Sequence, residues 1–451
     1  VPGYVGTRTN RSQGVSNSKS KERKVYRAPR GVRDVLPEEV PLWELLERTA
    51  ADLARRRGFR EIRPALLEDT ALFTRSLGEV TDIVEKEMFT IHRGEGDSAD
   101  SVTLRPEGTA GIVRAYVQGG YAKTQPLQKL FHTGPMFRYE RPQKGRERMF
   151  TQFDVEALGS KDPRLDAEVI HLAASFFEAL GIDGLEVRMN SMGDGADRDA
   201  FREAVREYIR PLLPKYSKDS QSRFDRNVLR ILDSKHPDDV ALNGDAPKIL
   251  EYLSDENRIH FERVQELLRR LGRTVIVDPS IVRGFDYYTR TVFEVHYPKL
   301  ARSALCGGGR YDHLIEELGG PDLGAVGFAV GFTGTMIALE ELGLTKHIPM
   351  IPAPVYVVGA SDALEDEVFL LAEELRAGGI ATVHDLTGKS VKKQMIAANK
   401  GGHRFVVVLG TKEFEGGCVQ LKDMQVGEQD EVQRTNLLQE LNGRIDAPAG
   451  N

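Results

Sequence analysis

A short proline-rich segment divides the chain into two parts. Residues 348–354 read IPMIPAP, with three prolines in seven positions. Proline fixes φ and has no backbone N–H to donate, so this segment favours an extended connection over a helix or a central strand. We predict a linker over 347–354 between two folded regions, 29–346 and 355–440.

The region after the linker alternates short apolar runs with helical patterns, which is typical of a small α/β domain. Its predicted strands and helices are 355–358, 365–377, 382–384, 391–400 and 405–409. The last segment, 441–451, contains Gly, Asn and Pro, and we predict a flexible tail there.

The region before the linker mixes strand-like and helical patterns. Its strand-like runs are 59–66, 101–104, 129–139, 151–158, 274–277, 291–296 and 324–330. Between 190 and 270, Arg, Asp, Lys and Leu predominate and the pattern is largely helical. We interpret 190–270 as an inserted helical module.

The first 28 residues contain seven Lys or Arg, one acidic residue and many Ser, Asn and Gly. So little apolar surface cannot offset the entropy lost on ordering, and we predict a disordered basic tail over 1–28. An organelle transit peptide is an alternative, because such peptides are basic and poor in acidic residues. A processed or engineered start is another, since residue 1 is Val.

Composition excludes several classes of protein. No stretch approaches the roughly 18 apolar residues that a membrane helix needs, so no membrane partner is expected. Cys306 and Cys418 cannot form a disulfide framework or a Cys-only zinc site, and they favour a reducing compartment. The net charge of −6 excludes a uniformly basic protein but allows a local basic surface that binds nucleic acid.

The densest chemical signal is a basic loop between two strand-like runs. The loop follows Arg138 and Glu140, and its cations are Arg141, Lys144, Arg146 and Arg148. A cationic hairpin suits a triphosphate or a nucleic-acid backbone. A solvated charged turn is the alternative for this loop taken alone.

Four further clusters carry residues suited to a ligand: 105–109, 283–288, 306–312 and 324–331. In the first, Glu107 and Thr109 could hold an ammonium group or cap a helix. In the second, Arg283 should meet an anion because an unpaired buried Arg is costly, whereas Tyr287 and Tyr288 could simply pack. The last two are glycine-rich, which allows a backbone to approach a ligand closely but does not identify the ligand.

In this order, the clusters resemble the motifs of histidyl-tRNA synthetases, a family of class II aminoacyl-tRNA synthetases. The strand with Arg138 and its basic loop resembles class II motif 2. Residues 283–288 and 306–312 resemble the two histidine-specific motifs, RG[LF]DYY and GGRYD, and 324–331 resembles the opening of motif 3.

The rest of the chain fits the same resemblance, which extends over about residues 28–440. Pro64 lies at or beside the dimer-interface proline of motif 1, and 385–394 resembles the family's anticodon-binding domain. The implied fold is an α+β catalytic domain, a class II antiparallel sheet with flanking helices and a helical insertion, followed by an α/β anticodon-binding domain. The implied partners are L-histidine, ATP with Mg²⁺, tRNA(His) and a second copy of the chain, in the cytoplasm.

The resemblance also implies residue roles. The catalytic residues are Arg138, which would bridge the amino-acid carboxylate and the α-phosphate, and Arg283, also near the α-phosphate. The histidine-binding set is Glu107, Thr109, Arg138, Gln152, Glu156, Arg283, Tyr287, Tyr288 and Tyr311. The ATP-binding set is Arg138, Glu140, Arg141 and Arg146, and no protein-bound metal site is expected.

Four lysines on or beside the predicted helix 391–400 are candidate tRNA contacts: Lys389, Lys392, Lys393 and Lys400. Basic side chains along one helix suit contacts with phosphates. An ordinary solvated helix surface is the alternative.

Motif 3 departs from the family pattern, because Thr333 and Gly334 stand where the family has Glu and an Arg that contacts the γ-phosphate. Loss of such a charge-assisted contact costs about 1.5–3 kcal/mol, or roughly ten- to a hundredfold in ATP use. Another cation, such as Arg310 or Mg²⁺, could compensate. Otherwise the chain could be an impaired, regulatory relative; a class II synthetase for glycine, proline or threonine is a third alternative.

Overall fold

The computed structural model describes two compact units. The described residues are 25–446 except 79–80, 82, 94–99, 226, 233, 282–286, 301–303 and 348–354. Of these, the first unit comprises residues up to Val35, 54–174 and 184–335, and the second comprises 36–53, 175–183 and residues from Met336 onward. Residues 1–24 of the predicted tail and 348–354 of the predicted linker lie outside the described residues.

Strands and short helices alternate up to residue 347. The strands are β1 (Arg60–Glu61), β2 (Leu67–Asp69), β3 (Phe89–Arg93), β4 (Asp100–Leu104), β5 (Gln128–Phe137), β6 (Met149–Leu158), β7 (Glu186–Ser191), β8 (Thr274–Val277), β9 (Thr289–His296), β10 (Cys306–Arg310) and β11 (Ala325–Gly331). The helices are α1 (Val40–Arg56), α2 (Thr70–Leu77), α3 (Thr109–Gln118), α4 (Tyr121–Thr124), α5 (Pro163–Ala179), α6 (Ala196–Ile209), α7 (Lys218–Arg223), α8 (Pro237–Leu242), α9 (Asp255–Arg270), α10 (Leu314–Glu317) and α11 (Phe332–Glu341).

The first unit is built on an eight-stranded sheet in the spatial order β1-β5-β6-β11-β10-β9-β7-β8. The five inner pairings are antiparallel, whereas β1–β5 and β7–β8 at the edges are parallel. The predicted α+β fold is confirmed, with a mixed sheet in place of a purely antiparallel one. Because β5 and β6 pair from Gln128↔Leu158 to Phe137↔Met149, the basic loop joins their ends as a hairpin.

The strand predicted at 59–66 is wrong for most of its length. Only Arg60–Glu61 pairs with β5, and one further bond runs from the amide of Ile62 to the carbonyl of Phe131. Pairing stops before Pro64, whose nitrogen carries no hydrogen for the ladder. The carbonyl of Pro64 instead accepts a 3.0 Å hydrogen bond from the buried guanidinium of Arg105.

Two glycines of β10 allow neighbouring strands to approach. A Cβ on Gly308 would lie 2.2 Å from the carbonyl oxygen of Gly327 in β11, and one on Gly309 would lie 2.7 Å from that of Thr291 in β9. These glycines therefore serve strand packing, which corrects the expectation that the run as a whole approaches a ligand.

The predicted insertion begins with the end of β7 and is helical from Ala196 onward. Inside it, the buried carboxylate of Asp239 accepts hydrogen bonds from the hydroxyls of Ser217, Ser220 and Ser234, each 2.7 Å long. Burial alone would raise the pKa of Asp239, but these bonds hold it well below its usual range. The helices of this segment are thus tied together by one ionised carboxylate.

The second unit contains the predicted alternation of strands and helices. Its elements are β12 (Val355–Gly359), α12 (Glu365–Ala377), β13 (Thr382–His384), α13 (Val391–Lys400), β14 (Phe405–Leu409), α14 (Thr411–Glu415), β15 (Cys418–Asp423), β16 (Gln429–Gln433) and α15 (Leu437–Asp446). The five strands form a sheet in the order β13-β12-β14-β15-β16. No helix among the described residues is both long and apolar enough to cross a membrane.

Helix α15 corrects the flexible tail predicted from residue 441. The helix continues to Asp446 because Leu437 and Leu441, four residues apart on one face, are both buried in the core of the second unit. Residues 447–451 lie outside the described residues.

A buried ionic cluster holds the centre of the first unit. The fully buried guanidinium of Arg310 contacts the carboxylates of Asp166 on α5 and Asp312, the latter at 2.9 Å, and donates to the carbonyl of Ser160 at 2.9 Å. Burial alone would raise the pKa of Asp166, but the Arg310 charge and a hydrogen bond from His260 lower it to about 2. Both carboxylates are therefore satisfied while ionised.

Replacing Arg310 with Gln should destabilise the protein strongly. The change leaves two buried carboxylates without their cation, which typically costs about 3–5 kcal/mol of unfolding free energy. Urea denaturation measures this loss, and Arg164→Gln, which breaks a surface pair with Asp162, should leave stability nearly unchanged. Equal stabilities of the two variants would contradict the central role of this cluster.

Candidate functional site

One cavity of about 990 Å³ brings most of the predicted site residues together in the first unit. Its walls come from the β5–β6 hairpin, the start of α3, strands β10 and β11, the start of α11, and residues of the helical insertion. The predicted residues that line it are Glu107, Thr109, Arg138, Glu140, Arg146, Gln152, Tyr287, Tyr288 and Tyr311.

Three predicted residues stand apart from this lining. Arg141 is exposed on the basic loop and is not part of the cavity wall. Glu156 lies behind the wall and is bonded to two lining residues. Arg283 falls in 282–286, outside the described residues.

The start of α3 is held by carboxylates. Glu107, which is buried, accepts hydrogen bonds from the amides of Thr109 (2.8 Å) and Ala110 (3.0 Å), and so caps the helix. The hydroxyl of Thr109 donates to Glu156 at 2.6 Å, and the hydroxyl of Tyr311 donates to the other oxygen of Glu156. The alternative of a helix cap is therefore realised by Glu107.

Strand β6 also presents two buried acceptors without a donor. Among the described residues, neither Oδ2 of Asp154 nor Oε1 of Gln152 has a hydrogen-bond partner, although both side chains line the cavity. The two residues are two positions apart and so share one face of the strand with Glu156. Buried acceptors without donors are rare in folded proteins and call for an explanation.

The buried carboxyls of this site hold their protons more tightly than usual. Burial, then the charge of Glu107, raises the pKa of Asp154 to about 8, against the opposing charges of Arg105 and Arg138. Burial raises the pKa of Glu107 and, more strongly, that of Glu156, against the hydrogen bonds they accept. The empty pocket thus favours a cationic ligand, which would relieve the crowding of negative charge.

Arg138 is oriented across the cavity by neighbouring groups. Its Nε donates to the carbonyl of Pro106 at 2.8 Å, and its guanidinium lies 5.2 Å from the ring centroid of Phe150. Its Nη1 is 3.9 Å from Glu140, which also lies 3.6 Å from Arg146. A fixed guanidinium of this kind is suited to a carboxylate or a phosphate.

Three tyrosines form one buried aromatic group. The rings of Tyr287 and Tyr288 have centroids 4.7 Å apart, and Tyr311 meets Tyr287 edge-on at 5.5 Å. With the Tyr311 hydroxyl bound to Glu156, this group offers a flat apolar surface with polar partners at its edge. Such a surface suits a small aromatic ring with hydrogen-bonding nitrogens.

The departure in motif 3 leaves space in the same cavity. Gly334 lines the cavity, and a Cβ placed on it would meet nothing within 4 Å. The hydroxyl of the preceding Thr333 donates to Glu147 at 2.9 Å, and Glu147 pairs with Arg33 at 2.9 Å. Arg310 does not compensate for the missing arginine, because its buried guanidinium is bound to Asp166 and Asp312.

The candidate tRNA-contacting lysines lie in the second unit. Lys392, Lys393 and Lys400 are exposed on α13, whereas Lys389 precedes the helix and pairs with Asp385 at 3.1 Å. The three helical lysines are thus available on a surface, and Lys389 is held by a neighbour.

Sequence reasoning missed three groups that the cavity contains: Asp154, Glu147 and the insertion residues Arg223, Arg230, Lys235 and His236. The even spacing of Gln152, Asp154 and Glu156 along a strand could have revealed the first. No local pattern could have placed the insertion residues, because they are about 80 positions from the hairpin they face.

Comparisons with known proteins agree on one family. The family model for histidyl-tRNA synthetase matches residues 31–334, and that for an anticodon binding domain matches 354–444. Similar curated proteins include the Histidine--tRNA ligases of Synechococcus sp. (strain JA-3-3Ab), 45% identical over 92% of this chain and 99% of the relative, and of Thermosynechococcus vestitus, 46% identical over 92% and 95%. Apo S. aureus histidyl-tRNA synthetase has a similar structure, with a TM-score of 0.77 and 33% identity over 92% of this chain and 99% of that one.

Replacing Asp154 with Asn should stabilise the unliganded protein at neutral pH. The folded carboxyl has a pKa of about 8 and the unfolded one about 3.8, so its contribution to stability is full below about pH 4 and is lost as the pH rises to about 8. Asn removes this loss.

Urea denaturation between pH 4 and 9 tests this expectation. The free energy of unfolding of Asp154→Asn should exceed that of the parent by a margin that grows up to about pH 8. Asp199→Asn, an exposed change on α6, should follow the parent. Parallel pH profiles for Asp154→Asn and the parent would contradict the raised pKa.

Proposed function

Because the chain belongs to the histidyl-tRNA synthetase family, we propose that its cavity ligates L-histidine to tRNA(His) in two steps. Histidine attacks the α-phosphate of ATP, giving histidyl-adenylate and pyrophosphate, and the acyl group then passes to the terminal ribose of the tRNA. The observation that carries this proposal is the fixed guanidinium of Arg138 opposite buried carboxylates in one cavity. That arrangement matches the two charges of an amino acid and the charge of a phosphate.

The reaction depends on positioned cations, because negative charge builds up on phosphate oxygens in the transition state. Arg138 bridges the histidine carboxylate and the α-phosphate, and Arg283 is the second catalytic cation. Glu140, Arg141 and Arg146 contact the nucleotide. ATP enters as its Mg²⁺ complex, as part of the substrate.

The histidine side chain occupies the aromatic end of the cavity. Its imidazole packs among Tyr287, Tyr288 and Tyr311, with Glu156 as the polar partner of a ring nitrogen. Ring analogues that lack the nitrogens leave this buried carboxylate unpaired, and so are rejected strongly. Gln152, Glu107 and Thr109 surround the α-ammonium side.

The missing motif 3 arginine is replaced by cations from the insertion. Arg230 and Lys235 line the cavity that Gly334 also lines, so a triphosphate in that cavity lies between them and the hairpin. Glu147 does not repel it strongly, because its charge is paired with Arg33. The alternative of an impaired, regulatory protein has no support in the cavity, whose other predicted residues are in place.

Histidine-dependent ATP–pyrophosphate exchange tests the activity and this replacement together. The parent should be active, and the double change Arg230→Gln with Lys235→Gln should raise the KM for ATP about ten- to a hundredfold. Adding Gly334→Arg should recover much of the loss, since open space surrounds Gly334.

The matched control is Arg202→Gln with Arg206→Gln on α6, outside the cavity wall, which should leave the KM for ATP unchanged. Exchange that appears only after Gly334→Arg is introduced into the parent would instead favour the impaired alternative.

The exposed lysines of α13 contact tRNA phosphates. Lys392→Gln with Lys393→Gln should raise the KM for tRNA and reduce its salt dependence, because fewer counterions are released on binding. Adenylate formation should stay unchanged, and Lys412→Gln in the same unit is the control. An equal loss in ATP–pyrophosphate exchange would contradict a role confined to tRNA.

The remaining proposals come from family resemblance. They are a catalytic domain at 29–346 that includes the 190–270 insertion, an anticodon-binding domain at 355–440, a homodimer in which Pro64 lies at the interface, and a cytoplasmic location. Family membership argues against specificity for glycine, proline or threonine, and a thermal-shift screen with single amino acids should show stabilisation by histidine alone.

A further inference from the structure

We propose that Asp154 is the ionic partner of the α-ammonium group of bound histidine, with Gln152 as the neighbouring acceptor. The assignment rests on the proposed function and deepens it, because the motif resemblance gives Asp154 no role. It follows from which acceptors of the cavity are occupied and which are not.

Glu107 and Thr109, which the resemblance assigns to the ammonium group, already have partners. The two oxygens of Glu107 accept from the amides of Thr109 and Ala110, and the Thr109 hydroxyl donates to Glu156. These bonds fix the start of α3. Glu107 therefore adds negative charge to the pocket while its carboxylate is held by the helix.

Asp154 and Gln152 are the complementary case. Their orphaned oxygens, Oδ2 and Oε1, lie on one face of β6 and border the cavity, and the Asp154 side chain is only 1% exposed. An ammonium group has three donors in one small volume, so a single ligand group can satisfy both acceptors. Water could reach one of them, but only a cation also offsets the charge of an ionised Asp154.

The local backbone is shaped around the Asp154 carboxylate. A Cβ on Gly108, the residue before α3, would lie 2.5 Å from Oδ2 of Asp154. Glycine at this position therefore leaves room for the carboxylate at the cavity wall. The register of β6 against β11 places Asp154 opposite Ala329, whose small side chain also borders the cavity.

The spacing along β6 separates the two ends of the ligand. Asp154 and Glu156 are two residues apart, which is about 7 Å along a strand. Glu156 is bound to Tyr311 in the aromatic group, so it faces the imidazole end. Asp154 lies nearer Gln152 and the charge of Arg138, which suits the end that carries both the ammonium and the carboxylate.

Isothermal titration of the full chain with two ligands tests the assignment. L-histidine carries the α-ammonium group, and 3-(imidazol-4-yl)propanoate lacks it. Asp154→Asn should weaken L-histidine binding about ten- to a hundredfold, as expected for loss of a charge-assisted hydrogen bond, and should leave propanoate binding unchanged. Asp199→Asn should change neither.

A second variant and a second readout separate this role from a structural one. Asp154→Ser should show the same selective loss, with a KM increase for histidine but not for ATP in pyrophosphate exchange, and both variants should unfold cooperatively. Equal weakening of both ligands, or no change for L-histidine, would overturn the assignment. A parent chain that binds no histidine would overturn the proposed function and this assignment with it.

Discussion

The first unit depends on a buried arginine held between two carboxylates. Arg310, at the end of β10, meets Asp166 on α5 and Asp312 just beyond the strand, and His260 of α9 bonds to the same Asp166. A buried charge is tolerated only when its partners are present and correctly placed. One cluster thereby fixes a central strand, a helix packed near it and the last helix of the insertion, before any ligand is considered.

The contrast between satisfied and unsatisfied groups separates structure from function. Arg310 and Asp239 are as deeply buried as Asp154, but every charged atom that matters has a partner. Asp154 keeps an empty oxygen beside the cavity, and its pKa rises to about 8 as a result of burial and a neighbouring charge. Burial of a polar group that is costly without a ligand is what binding sites accept and cores avoid.

The change in motif 3 illustrates how a family can keep its chemistry while one contact is moved. Phosphoryl transfer needs positive charge around the triphosphate, and the charge can come from any element that reaches it. Here Gly334 leaves open space on the β11–α11 side, and Arg230 and Lys235 border the same cavity from the insertion. Electrostatic stabilisation is less bound to one sequence position than hydrogen-bonded recognition of the imidazole is.

The sequence by itself determined the family, the α+β class, the two-part organisation and most of the cavity residues. These rest on local signals: an even step along β6, a basic hairpin, a proline-rich break and motifs in order. It failed where local propensity was outweighed, as at 59–66, where Pro64 ends the pairing, and at 441–446, where buried Leu441 extends α15.

Only the tertiary structure decided which polar groups are available to a ligand. Arg310 resembled a candidate cation until its two carboxylates were placed around it, and Glu107 resembled a ligand-binding group until it was found capping α3. Asp154 carried no signal of its own, because a lone carboxylate between two apolar residues is unremarkable in a sequence. Partners from distant segments set burial and hydrogen bonding, and these decide whether a charge supports the fold or meets a substrate.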